Sequence, residues 1–132
     1  MHNPPDAASL LEIARSTLLE EILDALPAER RVLARMTASA MAIAAREAAN
    51  AESDLARELR LLAGLYGEET VERAGASAHE RAQEINRRFA RDIRNGVLDG
   101  ACAPGVRALL FEQVRSRLRI SNPKYLEAAG LD

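Results

Sequence analysis

Two charged residues stand at positions where a helix would be expected to bury apolar side chains. Glu47 continues, at helical spacing, a line of apolar residues formed by Val32, Met36, Ala40 and Ile43. Arg117, and less centrally Arg107, falls in the apolar arc of a later segment that carries Leu110 and Val114. Since a lone buried charge costs several kcal/mol, we predict that Glu47 and Arg117 form a partly buried ion pair. Such a pair would join the second and last helices.

The same charges admit two other interpretations. Each side chain could reach water from the edge of its helix, more easily for Arg117 than for the shorter Glu47. Alternatively, Glu47 and Arg117, with Arg35 and Tyr125, could line a pocket between helices, which would make the chain a small enzyme or a ligand-binding bundle.

Other catalytic patterns are missing from the sequence. It contains no glycine-rich phosphate loop, no Gly-x-Ser-x-Gly and no His-Glu-x-x-His. Neither His2 nor His79 follows a Glu by three residues, as a di-iron bundle would need. Cys102 is the single cysteine, so no disulfide can form within the chain, and we interpret it as an inert thiol. We therefore predict no catalytic residue, no metal and no cofactor.

The charge pattern gives no reason to expect nucleic acid or a membrane as a partner. The net charge is -2. Arg87, Arg91 and Arg94 share one helix face, but Glu80 and Glu84 lie on that face too and no aromatic residues interleave, which favours a solvated surface. No secretory signal and no apolar run long enough to cross a bilayer is present, and we expect a cytoplasmic protein.

Composition predicts an all-α fold. The chain has 132 residues, 26 of them alanine, with only two Phe, two Tyr and no Trp. Strand-favouring residues are scarce and alanine is the best helix former, so helix is the default. We expect one domain, residues 1–132, folded as a small antiparallel bundle of four to five helices.

Caps and apolar spacing place these helices. The first is predicted from an Asp6 cap to about Ala25, and the second, which is rich in alanine, from Glu29 to about Ala49. A third is predicted from Ser53 to Tyr66; a continuous helix from Glu29 to Tyr66 is possible, but we favour a break at Asn50 to Ser53. The fourth is predicted from a capping box at Ser77 and Glu80 to Gly96, and the last from Pro104 to Asn122.

Four short strings, taken in order, resemble a family of short bacterial helical proteins described only as a domain of unknown function. They are Pro4-Pro5-Asp6-Ala7-Ala8-Ser9-Leu10-Leu11, Ala45-Arg46-Glu47, Asp92-Ile93-Arg94-Asn95-Gly96, and Ile120-Ser121-Asn122-Pro123-Lys124-Tyr125-Leu126. The resemblance implies an association, because such domains are encoded beside, or fused to, aminoglycoside-phosphotransferase-like kinases and acyl-CoA dehydrogenases. It supplies no catalytic residues.

The sequence therefore favours a non-catalytic accessory or interaction module that serves one of these enzymes. Leu10, Ile13 and Leu23 lie off the main stripe of the first helix, so that helix is expected to be covered on more than one side. A neighbouring helix, a partner protein or a second copy in a homo-oligomer would each provide the cover. The ligand-binding bundle is the alternative function.

Overall fold

The computed structural model describes residues 4–131, and within that range the predicted all-α fold is confirmed. No strand occurs in the described range. The α-helices are α1 (Ala7–Thr17), α2 (Ala28–Tyr66), α3 (Glu68–Glu72), α4 (Ala78–Arg94), α5 (Ala103–Ser121) and α6 (Pro123–Ala129). His2, one of the two histidines considered in the sequence, lies outside the described residues. No helix among residues 4–131 is long and apolar enough to span a membrane.

The chain divides into two compact units, residues 1–51 and residues 52–132, and the boundary falls inside α2. The prediction of a single domain over residues 1–132 stays a prediction beside this division.

The first unit consists of α1, a short connection and the first part of α2. Asp6 caps α1 as predicted, with its Oδ1 accepting from the backbone N–H of Ser9 at 2.8 Å. At the connection, Arg31 donates to the carbonyl oxygens of Leu26 at 3.0 Å and Asp24 at 3.2 Å. The guanidinium thereby satisfies two carbonyls that the end of the preceding helical segment leaves free.

The first predicted helix ends earlier than expected. The α-helix stops at Thr17 and continues as a π-helical turn, Leu18–Ile22, and a 3-10 turn, Leu23–Ala25. An inserted π turn shifts the phase of the helical face, which the apolar spacing had assumed to be constant as far as Ala25.

The predicted break at Asn50 to Ser53 is wrong, because α2 runs through these residues without interruption. Asn50 donates from Nδ2 to the carbonyl oxygen of Arg46, one turn back, at 2.7 Å. This bond uses the polar side chain within the helix, so Asn50 does not interrupt the backbone ladder.

The second unit has a core of large side chains. Its fully enclosed member is Leu62 of α2, with 0% of its surface exposed. Six further buried residues complete the cluster: Val71, Ile85, Phe89, Leu98, Val106 and Leu109. They come from α2, α3, α4, α5 and the loop after α4, so the core joins most of the elements of this unit.

The start of α4 confirms the predicted capping box. Ser77 Oγ accepts from the backbone N–H of Glu80 at 3.2 Å, and Glu80 Oε2 accepts from the backbone N–H of Ser77 at 3.3 Å and of Ala76 at 2.9 Å. After α4, Gly96 adopts a φ of +70°, a left-handed conformation that suits glycine at a helix end.

The predicted apolar stripe of the last helix is only partly buried. Leu109 is 2% exposed, whereas Leu110 is 39% and Val114 55% exposed. The buried face is rotated by about one residue from the predicted Val106, Leu110 and Val114 line, because Gln113 lies inward and is hydrogen-bonded there. The last helix ends at Ser121, close to the predicted Asn122, and Pro123 then begins α6, which was not predicted.

We predict that Leu62→Ala lowers the free energy of unfolding by about 3 kcal/mol, since it removes a fully enclosed side chain and leaves a cavity. The matched control is Leu110→Ala in the same unit, where the leucine is already part-exposed, and there we expect a loss below about 1 kcal/mol. Urea denaturation followed by circular dichroism measures both. Equal losses for the two variants would contradict the assignment of the core.

Candidate functional site

The five residues singled out from the sequence are all exposed. They are Arg35, Glu47, Arg107, Arg117 and Tyr125. The predicted burial of Glu47 and Arg117 is therefore not observed. Glu47 belongs to the first unit and Arg117 to the second, and their pairing with each other stays a prediction.

Both charges are exposed for the same reason, since each lies on an apolar stripe that faces solvent. On α2, Val32 is 58% exposed and Met36 64% exposed. The buried side chains of this part of α2 are instead three alanines on the opposite face, Ala34, Ala38 and Ala45. On α5, Arg117 follows the exposed Val114. In this part of α2 the larger apolar side chains are the ones left outside, whereas on α5 Leu109 is buried and Leu110 and Val114 are not.

An ion pair does join α2 and α5, but through other residues. Arg119 Nη1 lies 3.5 Å from Asp54 Oδ1, and both side chains are largely covered. Asp54 lies two helical turns beyond Glu47, and Arg119 two residues beyond Arg117. It is the same kind of contact that the sequence predicts for Glu47 and Arg117, formed here by two residues that were not singled out.

The most developed polar cluster of the second unit joins three helices. Glu58 Oε1 of α2 accepts from Asn86 Nδ2 of α4 at 2.9 Å and from Gln113 Nε2 of α5 at 3.0 Å. Gln113 also donates to Asn86 Oδ1 at 2.8 Å. We call Glu58, Asn86 and Gln113 the polar triad. All three side chains are half-buried.

The polar triad lines an open groove of about 650 Å³. Each helix contributes one face at helical spacing. From α2 come Leu55 and Glu58, from α5 come Leu110, Gln113 and Arg117, and α4 supplies His79, Ala82, Gln83, Asn86, Arg87, Phe89, Ala90 and Ile93. The groove thus combines apolar side chains, the polar triad and the exposed Arg117 on one surface of the unit.

Sequence reasoning missed the polar triad, although a signal for it was present. Asn86 and Gln113 each lie four residues after a buried residue, Ala82 and Leu109, and a polar side chain near a core face is expected to find a partner. What the sequence could not supply was the third member, because Glu58 resembles the other acids of an exposed helix surface.

We predict that the polar triad stabilises the second unit cooperatively. In a double-mutant cycle of Asn86→Ala and Gln113→Ala, the coupling energy measured by urea denaturation should be about 1 kcal/mol, as for a hydrogen bond that is shielded from water. Gln83→Ala combined with Gln113→Ala serves as the control, since no hydrogen bond joins those side chains. A coupling energy near zero in the first cycle would contradict the assigned hydrogen bonds.

A second polar contact fixes the end of α2 against α4. Tyr66 Oη donates to Asp92 Oδ2 at 2.8 Å, and the guanidinium of Arg88 lies 4.6 Å from the centre of the Tyr66 ring. Burial, together with the hydrogen bond and the negative charge of Asp92, raises the pKa of Tyr66 to about 12. Arg88 and Arg91 act in the opposite direction, and their effect is smaller.

This shift predicts how stability changes at high pH. A tyrosine whose pKa is higher in the folded state than the usual 10 contributes stability that is fully present below pH 10 and is lost as the pH rises through about 12. In a Tyr125→Phe background, which leaves one tyrosine, absorbance at 295 nm reports the ionisation of Tyr66. Asp92→Asn should lower the pKa of Tyr66, because it removes the negative charge. A pKa of Tyr66 near the ordinary tyrosine value of 10 would contradict the contact with Asp92.

Among residues 4–131, no group of three or more His, Cys, Asp or Glu side chains could hold a metal ion. A family model described as a domain of unknown function, DUF6285, matches residues 24–125. No curated protein and no solved structure matches the chain. The matched range includes the exposed stripe of α2 and the polar triad, whereas α1 precedes it.

Proposed function

The chain belongs to the domain-of-unknown-function family DUF6285, and we propose that it is a non-catalytic accessory subunit of a phosphotransferase-like kinase. It would act in the bacterial cytoplasm and would bind the kinase through the exposed apolar stripe of α2. The resemblance noted in the sequence supports this choice, since it implies an association with such kinases or with acyl-CoA dehydrogenases.

The observation that carries the proposal is the exposure of this stripe, which consists of Val32, Leu33, Met36, Ala40 and Ile43. Its four larger members are between about one third and two thirds exposed. They lie on the side of α2 away from the buried alanines. A contiguous apolar surface of this kind on a small unit is typical of a protein interaction site.

A rough estimate of free energy shows what the stripe can contribute to binding. Full burial of a Val, Leu, Ile or Met side chain stabilises by about 1.5–3 kcal/mol, so burying the exposed half of each of the four larger side chains gives about 4 kcal/mol in all. Association itself costs at least about as much. The stripe can therefore form the centre of an interface, but further contacts are needed around it.

Glu47 offers one such contact. It lies four residues after Ile43 and is exposed, so its carboxylate stands at the end of the stripe. Among the described residues 4–51, no ion pair occupies it. In this arrangement the charge that sequence analysis assigned to the interior becomes part of the rim of the interface, where it would face a basic group of the kinase.

The test is capture of the kinase from the native host by the tagged chain, with the recovered proteins identified by mass spectrometry. We expect the kinase to be recovered with the unmodified chain and its yield to fall at least about tenfold with Met36→Glu, because a buried unpaired carboxylate is costly. Ala48→Glu adds the same charge to the first unit on another exposed face of α2, and should leave recovery unchanged.

Three outcomes would contradict the proposal. Recovery of an acyl-CoA dehydrogenase without the kinase would assign the stripe to the other type of enzyme. Recovery of neither would exclude both partners. A dimer of the purified chain that Met36→Glu converts to monomer, measured by light scattering, would assign the stripe to self-association instead.

A further inference from the structure

The groove of the second unit holds two opposite charges that do not neutralise each other. Glu58 and Arg117 both line it, yet among the described residues 52–131 no ion pair joins them and no other carboxylate pairs with Arg117. The two hydrogen bonds to Glu58 both go to Oε1, and within the same range Oε2 accepts none. Each charge therefore has capacity for a further partner.

The other basic side chains of the groove are already engaged. Arg87 pairs with Glu84 at 3.2 Å, and His79 contacts Gln83 at 3.2 Å. Of the two arginines that line the groove, Arg117 is thus the one without a carboxylate partner in the described range, and an anionic group bound there would be directed to it.

Helix geometry places Arg117 one turn from the residue that holds Glu58. Gln113 is hydrogen-bonded to Glu58, and Arg117 lies one turn further along the same face of α5, so about 6 Å separate the attachment points of Gln113 and Arg117. Leu55, Ile93 and Leu110 supply apolar surface to the same groove. The groove thus offers apolar surface together with polar groups that can orient a ligand, a combination found in small-molecule sites.

We propose that this groove binds a short linear carboxylate that carries a hydrogen-bond donor, a hydroxyl or an ammonium group, at its far end. The carboxylate pairs with Arg117, the donor binds Glu58 Oε2, and the chain between them covers the apolar side chains. Because Glu58 is held by Asn86 and Gln113, its carboxylate is oriented before the ligand arrives. This site is independent of the stripe proposed to bind the kinase.

The test uses the full chain alone, labelled with ¹⁵N and titrated with 6-hydroxyhexanoate while the side-chain amide signals of Asn86 and Gln113 are followed. We expect saturating shifts at these amides. The same probe without its donor, hexanoate, should bind about fivefold more weakly, and 6-aminohexanoate at least as tightly as 6-hydroxyhexanoate because its ammonium meets a carboxylate.

Arg117→Gln should weaken binding of 6-hydroxyhexanoate about fivefold, as expected for an exposed ion pair. Arg107→Gln is the matched control, because Arg107 is exposed on the same helix and does not line the groove; it should leave the affinity unchanged. Glu58→Gln, whose amide oxygen can still accept hydrogen bonds from Asn86 and Gln113, should abolish the advantage of 6-aminohexanoate over hexanoate.

Absence of saturating shifts would overturn the proposal. Equal affinity of the unmodified chain for 6-hydroxyhexanoate and hexanoate would also overturn it, and this comparison does not depend on the folding of any variant. Shifts of the two amides that occur only when the kinase is added would make the groove a protein contact and would also overturn it. A negative titration leaves the capture experiment on α2 unaffected, so the two proposals fail separately.

Discussion

A helix in a small unit can bury only one of its faces, and in the first unit that constraint favours the smallest side chains. The buried residues of α2 there are Ala34, Ala38 and Ala45. Small side chains allow a neighbouring helix to approach closely, and α1 and α2 do line a common groove. Alanine, however, gains little from burial, about 0.8 kcal/mol for its methyl group. The face that could contribute more to stability is therefore the one left available for another molecule.

The second unit meets the same constraint differently. Its core contains Leu62, Phe89 and Leu109, which are large enough to hold the unit together. Beside them the polar triad connects three helices through hydrogen bonds. Because these bonds are directional, they fix how the helices are aligned along one another, which apolar contacts alone do not. On α5 the burial of Leu109 and the hydrogen bonds of Gln113 together determine which face turns inward, and Leu110 and Val114 remain outside.

Much of the fold could be predicted from sequence, because local signals determine where helices begin and end. Asp6, Ser77 and Glu80 act as caps through bonds within a few residues, and the sequence contains all that those bonds need. The choice between two apolar faces is different. On α2 the alanine face and the stripe of Val32 and Met36 both have helical periodicity, so periodicity does not determine which of them is covered.

The candidate site was harder to predict for the same reason. A charge on an apolar stripe indicates a buried ion pair only if that stripe is the buried one, and this premise does not hold at Glu47 or at Arg117. The ion pair that the structure shows between α2 and α5, Asp54 with Arg119, obeys the same physical rule at positions that periodicity does not distinguish. The uninterrupted α2 was missed because Asn50 can bond either outside a helix or back to Arg46.

The two exposed apolar stripes share a feature that bears on function, since each ends at a charged residue. On α2 the line of Val32, Met36 and Ile43 reaches Glu47, and on α5 the line of Leu110 and Val114 reaches Arg117. Apolar surface alone would bind partners with little discrimination, whereas a charge at one end fixes the direction in which a partner can lie. Because the charges are opposite, the two surfaces favour different partners. A protein partner at the acidic stripe and a small carboxylate at the basic groove are therefore compatible in one chain.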